Sequence, residues 1–195
     1  MIKAIITDFD GTLVDTFEAN FRAYQEAFAN IGLSLSTDRY KECFGYRFDR
    51  FMQTMNISDE LIIKQIKESK KDFYPKHFNH LKPNHSLIDL ISTFHKMGGK
   101  TAIASTARKE NLMNVVNYLG IAEHFDLIYT GADVKCGKPS PEIYIKTMET
   151  LGVIPEETLI FEDSQVGIEA ATRSKAKCFI VCQEQFNINI NLNQN

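Results

Sequence analysis

The sequence lacks long apolar runs and has no marked excess of charge of either sign. No stretch of its 195 residues approaches the roughly 20 apolar residues that a membrane-spanning helix needs. The net charge of −3 indicates neither a basic surface for nucleic acid nor an acidic tail. The apolar run over residues 2–6 contains Lys3 and stops before Asp8, unlike a secretory signal. We therefore expect a cytoplasmic protein with no nucleic-acid or membrane partner.

Paired cysteines and zinc-type ligand spacings are also missing. None of the four cysteines forms a C-x-x-C pair, so a disulfide framework is not indicated in a chain of this length. His77, His80 and His85 fit no standard zinc spacing, and no cysteine pair lies near them. We interpret this histidine-containing segment as a polar connection.

Strand-like and helix-like segments alternate through most of the chain. Short apolar segments typical of buried strands cover residues 2–7, 100–104, 126–130, 158–161 and 177–181. Segments with helical periodicity lie between the later ones, over residues 85–97, 108–119, 141–151 and 165–173. Strands separated by helices pair in parallel, with helices covering both faces of the sheet. The sequence therefore predicts an α/β fold with a Rossmann-like parallel core.

A long helical insertion interrupts this core after its first strand. Helical patterns follow one another over residues 18–31, 38–43, 47–55 and 59–75, without a convincing strand. We predict an α/β core of residues 1–15 and 82–195 and an all-helical domain of residues 16–81. The tail over residues 186–195 alternates asparagine with apolar residues, which predicts an edge strand, with a partly disordered end as the alternative.

Polar residues follow four of the predicted strands. These residues are Asp8 and Asp10, then Ser105 and Thr106, then Lys135 and Lys138, and finally Glu162 and Asp163. In parallel sheets, ligands bind outside the carboxyl ends of the strands, so these side chains converge on one edge. Helix capping explains any one of them but not four strand ends together. Clustered carboxylates need a cation, and oxygen ligands suit Mg²⁺. Because a hydroxyl and an ammonium donate hydrogen bonds to phosphoryl oxygens, the set predicts phosphoryl transfer.

Four motifs in this set resemble those of a known family. The stretches "DFDGTLVDT", "ASTA", "GKPSPEIY" and "FEDSQVGIEAA" resemble the motifs of the haloacid dehalogenase-like superfamily, in order and at the expected strand ends. The likeness covers the whole core and is closest to the β-phosphoglucomutase and phosphoglycolate phosphatase-like branch. The helical insertion is similar to that branch's helical cap. The resemblance therefore implies a cap over residues 16–81.

The resemblance implies a role for each aspartate of the first motif. Asp8 corresponds to the nucleophile, which forms an aspartyl phosphate and replaces one hard displacement by two easier ones. Asp10 corresponds to the general acid that protonates the leaving alcohol and then to the base that activates water. Dehalogenases of the superfamily lack this second acid, because a halide leaves without a proton. Asp10 therefore disfavours dehalogenation.

The resemblance implies that the other motifs supply the contacts to the phosphoryl group and most of the metal site. Ser105 would donate a hydrogen bond to the transferring phosphoryl group, and Lys138 would neutralise charge on it and on Asp8. The metal is expected to be Mg²⁺, held by Asp8, Asp10 through its backbone carbonyl, Asp163, and Glu162 either directly or through water. Thr106 and Ala107 lie on the substrate side of the second motif, which departs here from the serine-rich form of the family.

Residues of the helical insertion should choose the substrate. Gly45 and Arg47 lie in a turn similar to the loop with which mutase relatives grip a distal phosphate, although one residue shorter. A solvent-exposed arginine is the alternative for Arg47. Mutase relatives often carry a histidine where this chain has Asn20. Because asparagine does not titrate near neutral pH, Asn20 favours hydrolysis over mutase turnover.

The favoured prediction is a Mg²⁺-dependent phosphatase of a small phosphorylated metabolite, either a sugar phosphate or phosphoglycolate. One alternative is a sugar phosphomutase similar to β-phosphoglucomutase. Another is a non-catalytic protein that binds a phosphorylated metabolite on the same fold, since a fold does not fix a function. We expect a monomer or a weak homodimer.

Overall fold

The computed structural model describes residues 1–182 and the backbone of residues 187–189. The chain divides into two compact units, an α/β unit and a helical unit. The helical unit is Thr16–Lys82, and the α/β unit is Met1–Asp15 with the chain from Pro83 onward. The second boundary lies one residue later than the sequence-based one. Among the described residues, no helix has the length and apolar character needed to cross a membrane.

The helical unit has four α-helices followed by a turn of 3₁₀ helix. They are α1 (Phe17–Ala29), α2 (Thr37–Cys43), α3 (Phe48–Thr54), α4 (Glu60–Phe73) and the 3₁₀ segment Tyr74–His80. Ser36 caps α2 and Asp59 caps α4, each by accepting backbone N–H groups of the first turn. The predicted helix 59–75 was too long. Pro75 lacks the N–H that an α-helix would use at that point, and the chain tightens into the 3₁₀ segment.

Aromatic side chains fill the core of the helical unit. Phe51 lies at its centre, with ring centroids 5.1 Å from Tyr24, 5.7 Å from Tyr40 and 6.0 Å from Phe28. All of these pairs lie within the range in which aromatic rings attract one another. The helical unit therefore has an apolar core of its own, which the periodicity of α1 indicates in the sequence.

The α/β unit is built on a six-stranded sheet. The strands of the chain are β1 (Ala4–Thr7), β2 (Val14–Asp15), β3 (Lys82–Pro83), β4 (Lys100–Ala104), β5 (Leu127–Tyr129), β6 (Thr158–Glu162), β7 (Lys177–Cys182) and β8 (Asn187–Asn189). The order in the sheet is β5-β4-β1-β6-β7-β8, parallel except for β8, which pairs antiparallel with β7. The predicted strands are confirmed within two residues, whereas the short strands β2 and β3 were missed.

Helices cover the sheet, as an α/β fold requires. They are α5 (His85–Lys96), α6 (Lys109–Tyr118), α7 (Glu142–Leu151) and α8 (Gln165–Arg173). Ala4 and Ile6 of β1 share a buried cluster with Tyr144 and Met148 of α7 and with Ala170 of α8. Because neighbouring strand residues point to opposite faces, the buried Ile5 lies on the other face. The predicted α/β fold with a parallel core is confirmed.

The tail prediction is borne out for three residues. The backbone of Asn187–Asn189 forms β8, an edge strand paired with Ile180–Cys182 of β7. Residues 183–186 and 190–195, on which the rest of that prediction falls, lie outside the described residues.

Candidate active site

Asp8 is fixed at the carboxyl end of the central strand β1. Its backbone N–H donates to the carbonyl of Phe161 in the neighbouring strand β6, at 2.9 Å. The chain then turns back sharply, because Gly11 has φ of 89° and its N–H donates to the Val14 carbonyl. The Asp8 side chain is only 10% exposed, and Asp10, two residues on, is half-buried.

Lys138 brings a buried positive charge to Asp8. It lies in the loop between β5 and α7, and its Nζ is 2.5 Å from Asp8 Oδ1 and 2.5 Å from Glu162 Oε1. Burial alone would lower the pKa of Lys138, but the charges of Asp8 and Glu162 outweigh burial and raise that pKa. Lys138 is therefore a permanently charged ammonium shared between two carboxylates.

Glu162 is surrounded by hydrogen-bond donors of the protein. It is fully buried at the end of β6. Its Oε1 accepts from Lys138 Nζ and, at 2.7 Å, from the hydroxyl of Tyr144. Its Oε2 accepts from the N–H of Asp163 at 3.0 Å, and from the N–H and hydroxyl of Ser164 at 3.2 and 3.1 Å. Both carboxylate oxygens are thus held in place before any ligand arrives.

Space behind Glu162 is provided by a glycine. A Cβ at Gly167, in the first turn of α8, would overlap the carboxylate of Glu162. The N–H of Gly167 also donates to the Ser164 hydroxyl at 3.1 Å, which caps α8. The start of α8 is thereby tied directly to the position of Glu162.

Asp163 is oriented by a threonine of the first motif. The hydroxyl of the buried Thr12 donates to Asp163 Oδ1 at 2.6 Å, across 151 residues of sequence. The Thr12 hydroxyl thereby fixes the rotamer of a residue predicted to bind the metal, the kind of support that metal ligands generally need.

The carboxylates of this edge have the chemistry of a divalent-cation site. Asp8, Glu162 and Asp163 each present a carboxylate oxygen within 4.8 Å of the others. Burial, together with the charges of Glu162 and Asp163, raises the pKa of Asp8 well above its ordinary range, although Lys138 works against this. Three clustered carboxyl groups in contact with a single ammonium form an all-oxygen donor set, which fits Mg²⁺.

The residues after β4 complete the same edge. Ser105 is 2% exposed, and its backbone N–H donates to the Tyr129 carbonyl of β5. Its hydroxyl accepts a hydrogen bond from the N–H of Ala107 at 3.1 Å. The half-buried Thr106 and Ala107 follow on this loop. A Cβ at Gly131 would approach the Thr106 carbonyl at 3.0 Å, so the two loops lie close together.

Three predicted substrate residues belong to the helical unit. Gly45 has φ of 84°, and the exposed Arg47 is the N-cap residue of α3. The side-chain amide of Asn20 donates to the Thr16 carbonyl at 3.1 Å and to the Tyr74 hydroxyl at 3.4 Å. These three residues therefore belong to a different unit from the acids at the carboxyl edge of the sheet.

Sequence reasoning missed several supporting residues of the site. Tyr144, Ser164 and Gly167 all lie inside the quoted motifs, but nothing in their type identifies Glu162 as their partner. Glu142 was missed too: its carboxylate accepts the N–H groups of Lys135 and Cys136, both at 2.8 Å. An acid four residues after Lys138, at the start of a helix, was the available signal.

Comparison with known proteins places the chain in a family. The family model for haloacid dehalogenase-like hydrolases matches residues 5–181. A phosphorylated carbohydrates phosphatase of Thermotoga maritima is 31% identical over 176 residues, which cover 87% of this chain and 80% of that protein. The chain therefore belongs to the haloacid dehalogenase-like hydrolases. The predicted family and the prediction of a phosphatase of this family are confirmed.

Solved structures give the same assignment. CbbY of Rhodobacter sphaeroides, in complex with xylulose-1,5-bisphosphate, superimposes with a TM-score of 0.78 at 29% identity, over 92% of this chain and 86% of that one. A β-phosphoglucomutase of Clostridium difficile superimposes with a TM-score of 0.77 at 25% identity, over 93% and 85% of the two chains. Both lie in the branch that the motifs resemble.

Proposed function

We propose that the chain is a Mg²⁺-dependent phosphatase that hydrolyses a small phosphorylated carbohydrate through an aspartyl phosphate on Asp8. The observation that carries the proposal is the buried contact between Asp8 and Lys138 at the carboxyl edge of the sheet, next to two further carboxylates. A nucleophilic carboxylate needs a nearby positive charge to approach an anionic phosphoryl group, and Lys138 supplies it.

In the first half-reaction, Asp8 attacks the phosphorus of the substrate. A bond forms between a carboxylate oxygen of Asp8 and phosphorus, and the bond from phosphorus to the alcohol oxygen breaks. Asp10 gives its proton to the departing oxygen. Lys138 and the Ser105 hydroxyl stabilise the charge on the phosphoryl oxygens during transfer.

In the second half-reaction, water releases the phosphate. Asp10, now ionised, takes a proton from a water molecule, whose oxygen attacks phosphorus. The bond from phosphorus to Asp8 breaks, which returns Asp8 as a carboxylate and Asp10 as an acid. The two aspartates therefore have separate tasks, which explains why the chain places both directly after β1.

Mg²⁺ would be held by Asp8, by the backbone carbonyl of Asp10, by Asp163 and by Glu162. Because both oxygens of Glu162 already accept hydrogen bonds from the protein, a contact through water suits Glu162 better than a direct bond. When bound, the ion neutralises negative charge on Asp8 and on the phosphoryl group, so that the two anions can approach each other.

The relatives guide the proposed substrate class. One acts on phosphorylated carbohydrates, and CbbY was solved with xylulose-1,5-bisphosphate. We infer that this chain takes a sugar phosphate, with phosphoglycolate as the smaller candidate. Thr106 and Ala107 would contact the substrate from the α/β unit. The helical unit would act as the cap, in which Gly45, Arg47 and Asn20 select the substrate.

A sugar phosphomutase is the second candidate, supported by the likeness to β-phosphoglucomutase. Asn20 lacks the titratable ring that mutase relatives often carry at that position, which favours hydrolysis. A mutase would convert β-glucose 1-phosphate to glucose 6-phosphate without accumulating free phosphate. A non-catalytic protein would bind a phosphorylated metabolite tightly and release no phosphate from any compound. The expected cytoplasmic location and the expected monomer or weak homodimer stay predictions.

A phosphate-release screen tests the proposed function. The purified protein is assayed with Mg²⁺ on an aryl phosphate and on a panel of phosphorylated sugars, phosphoglycolate and nucleotides. We expect Mg²⁺-dependent release that Asp8→Asn abolishes and that a chelator stops. Asp89→Asn, which changes an exposed aspartate on α5, is the matched control and should keep full activity. Release that survives in Asp8→Asn, or no release from the whole panel, would contradict the proposal.

A further inference from the structure

The hydroxyl of Tyr144 meets the same carboxylate oxygen that holds Lys138. Tyr144 OH and Lys138 Nζ both donate to Glu162 Oε1, at 2.7 and 2.5 Å. Lys138 Nζ also lies 5.0 Å from the centre of the Tyr144 ring. The second contact of Lys138 is with Asp8 Oδ1. A single oxygen of Glu162 thus links Tyr144 to the ammonium group beside the nucleophile.

Packing alone does not account for this hydroxyl. Tyr144 is fully buried on α7, in an apolar cluster with Ile143, Met148 and Ala170, where a phenylalanine would fill nearly the same volume. A buried tyrosine hydroxyl requires a hydrogen-bond partner, and the partner here is a charged group of the site. The chain thus places a polar group in its core where only the site gains from it.

We propose that Tyr144 is a positioning residue, whose hydroxyl holds Glu162 Oε1 so that Lys138 is shared between Glu162 and Asp8. The proposal rests on the proposed function, because the role of Lys138 is to neutralise charge during phosphoryl transfer. Glu162 is anchored on its other oxygen by Asp163 and Ser164. On Oε1, the Tyr144 hydroxyl is the neutral donor beside Lys138. Its hydrogen bond reduces the negative charge that Oε1 presents to Lys138, so that Glu162 attracts Lys138 less strongly.

Removal of the Tyr144 hydroxyl should change how strongly Lys138 interacts with each of its two carboxylate partners, Glu162 and Asp8. In Tyr144→Phe, Glu162 Oε1 loses one of its two donors and attracts Lys138 more strongly. Lys138 then interacts less with Asp8 and with the transferring phosphoryl group. Because that interaction strengthens in the transition state, kcat should fall about tenfold while KM changes less than about twofold.

Tyr129→Phe is the matched control. Tyr129 lies in the same unit, and its hydroxyl shares a hydrogen bond of 2.9 Å with a neutral partner, the hydroxyl of Thr150 on α7. Both variants lose one tyrosine hydroxyl and one hydrogen bond. We expect little change of the melting temperature in Tyr129→Phe, and a decrease of kcat only in Tyr144→Phe. A kcat of Tyr144→Phe within twofold of the wild type would overturn the proposal.

A spectroscopic measurement separates this proposal from the proposed function. The side-chain nitrogen resonance of Lys138 is assigned by its loss in Lys138→Met and is recorded without substrate. It should shift in Tyr144→Phe and stay unchanged in Tyr129→Phe. An unchanged resonance in Tyr144→Phe would overturn the positioning role even if the protein released no phosphate. Conversely, a shifted resonance in Tyr144→Phe together with no phosphate release by the wild-type protein would count against the proposed function alone.

Discussion

At the scale of single residues, the site is defined by charges that the protein buries and then satisfies. Burial of a carboxylate or an ammonium costs several kcal/mol, about as much as a domain's entire net stability, unless partners compensate for the lost water. Glu162 receives five hydrogen bonds, from Lys138, Tyr144, Asp163 and Ser164. For Glu162 this compensation is local, so its buried carboxylate is fixed in orientation before substrate binds.

Substitution of Thr12 tests whether a residue that orients a proposed metal ligand affects the affinity for Mg²⁺. Thr12→Val keeps the shape of the side chain but removes the hydroxyl that orients Asp163. We expect the affinity for Mg²⁺, measured by titration calorimetry, to fall about tenfold, because residues that orient a metal ligand commonly contribute that much. Thr12→Ser retains the hydroxyl and should bind Mg²⁺ nearly as well as the wild type. Equal affinities of Thr12→Val and wild type would show that Thr12 is only structural.

Residue types explain why part of the site was predictable. The residues proposed for the chemistry have charged side chains, and their placement after strands is visible in the order of the chain: Asp8, Asp10, Lys138 and Glu162. Tyr144, in contrast, acts through a partner that only the packing of α7 against β6 brings within reach. No periodicity or spacing states which buried hydroxyl will meet which carboxylate.

At the scale of elements, the start of α7 holds the loop that carries Lys138. Glu142 lies in the first turn of α7, where a negative charge is favoured by the helix dipole. Its carboxylate accepts the N–H groups of Lys135 and Cys136. One half-buried side chain therefore ties the loop to the helix and limits the positions that Lys138 can take.

The Glu142 anchor should depend on pH. The backbone hydrogen bonds from Lys135 and Cys136 lower the pKa of Glu142 in the folded protein from its ordinary value of 4.5. A carboxyl group whose pKa is lower in the folded protein than in the unfolded chain stabilises the folded state at pH values above its ordinary pKa. That stabilisation is lost as the pH falls through the pKa of the folded state. The melting temperature of Glu142→Gln should therefore lie below that of the wild type at pH about 7, and the gap should close in acid.

Glu149→Gln is the control for this experiment, since Glu149 is an exposed glutamate of the same helix. The melting temperature of Glu149→Gln should equal that of the wild type through the whole pH range. A gap between wild type and Glu142→Gln that is the same in acid as at neutral pH would contradict an ionised anchor.

Elements were predictable where a local pattern decides them. The strands of the sheet are short apolar segments bounded by turn residues, and β4 was located over the observed residues Lys100–Ala104. The strand β2 has two residues, which is too few for any alternation to show. The 3₁₀ segment after Phe73 was missed for another reason, because it follows α4 directly and its first residues were included in the predicted helix over 59–75.

At the scale of the whole molecule, the residues proposed for the reaction and those proposed for substrate choice belong to different units of the chain. The acids, Ser105 and Lys138 belong to the α/β unit, whereas Gly45, Arg47 and Asn20 belong to the helical unit. The motifs that reveal the reaction therefore say little about the substrate. This division explains why the sequence predicts phosphoryl transfer more sharply than it predicts the phosphorylated compound.

Arg47 tests whether the helical unit selects the substrate. If Arg47 binds a distal anionic group, Arg47→Ala should raise KM for a sugar bisphosphate about tenfold, the scale of a lost charge-assisted hydrogen bond. KM for an aryl phosphate, which has no distal anion, should stay unchanged. Arg39→Ala is the control, because Arg39 is an exposed arginine already paired with Glu42. Equal KM values of Arg47→Ala and wild type for the bisphosphate would leave Arg47 as a surface residue.

The covalent role of Asp8 is the central claim, and trapping the intermediate tests it most directly. Asp10→Asn is incubated with Mg²⁺ and acetyl phosphate, whose acetate leaves without a proton, so that phosphorylation can proceed while hydrolysis is slowed. After acid quenching, peptide mass spectrometry should locate the phosphoryl group on Asp8, and Asp8→Asn should carry none. A phosphoryl group on another residue, or phosphate release without any phosphorylated protein, would contradict the account.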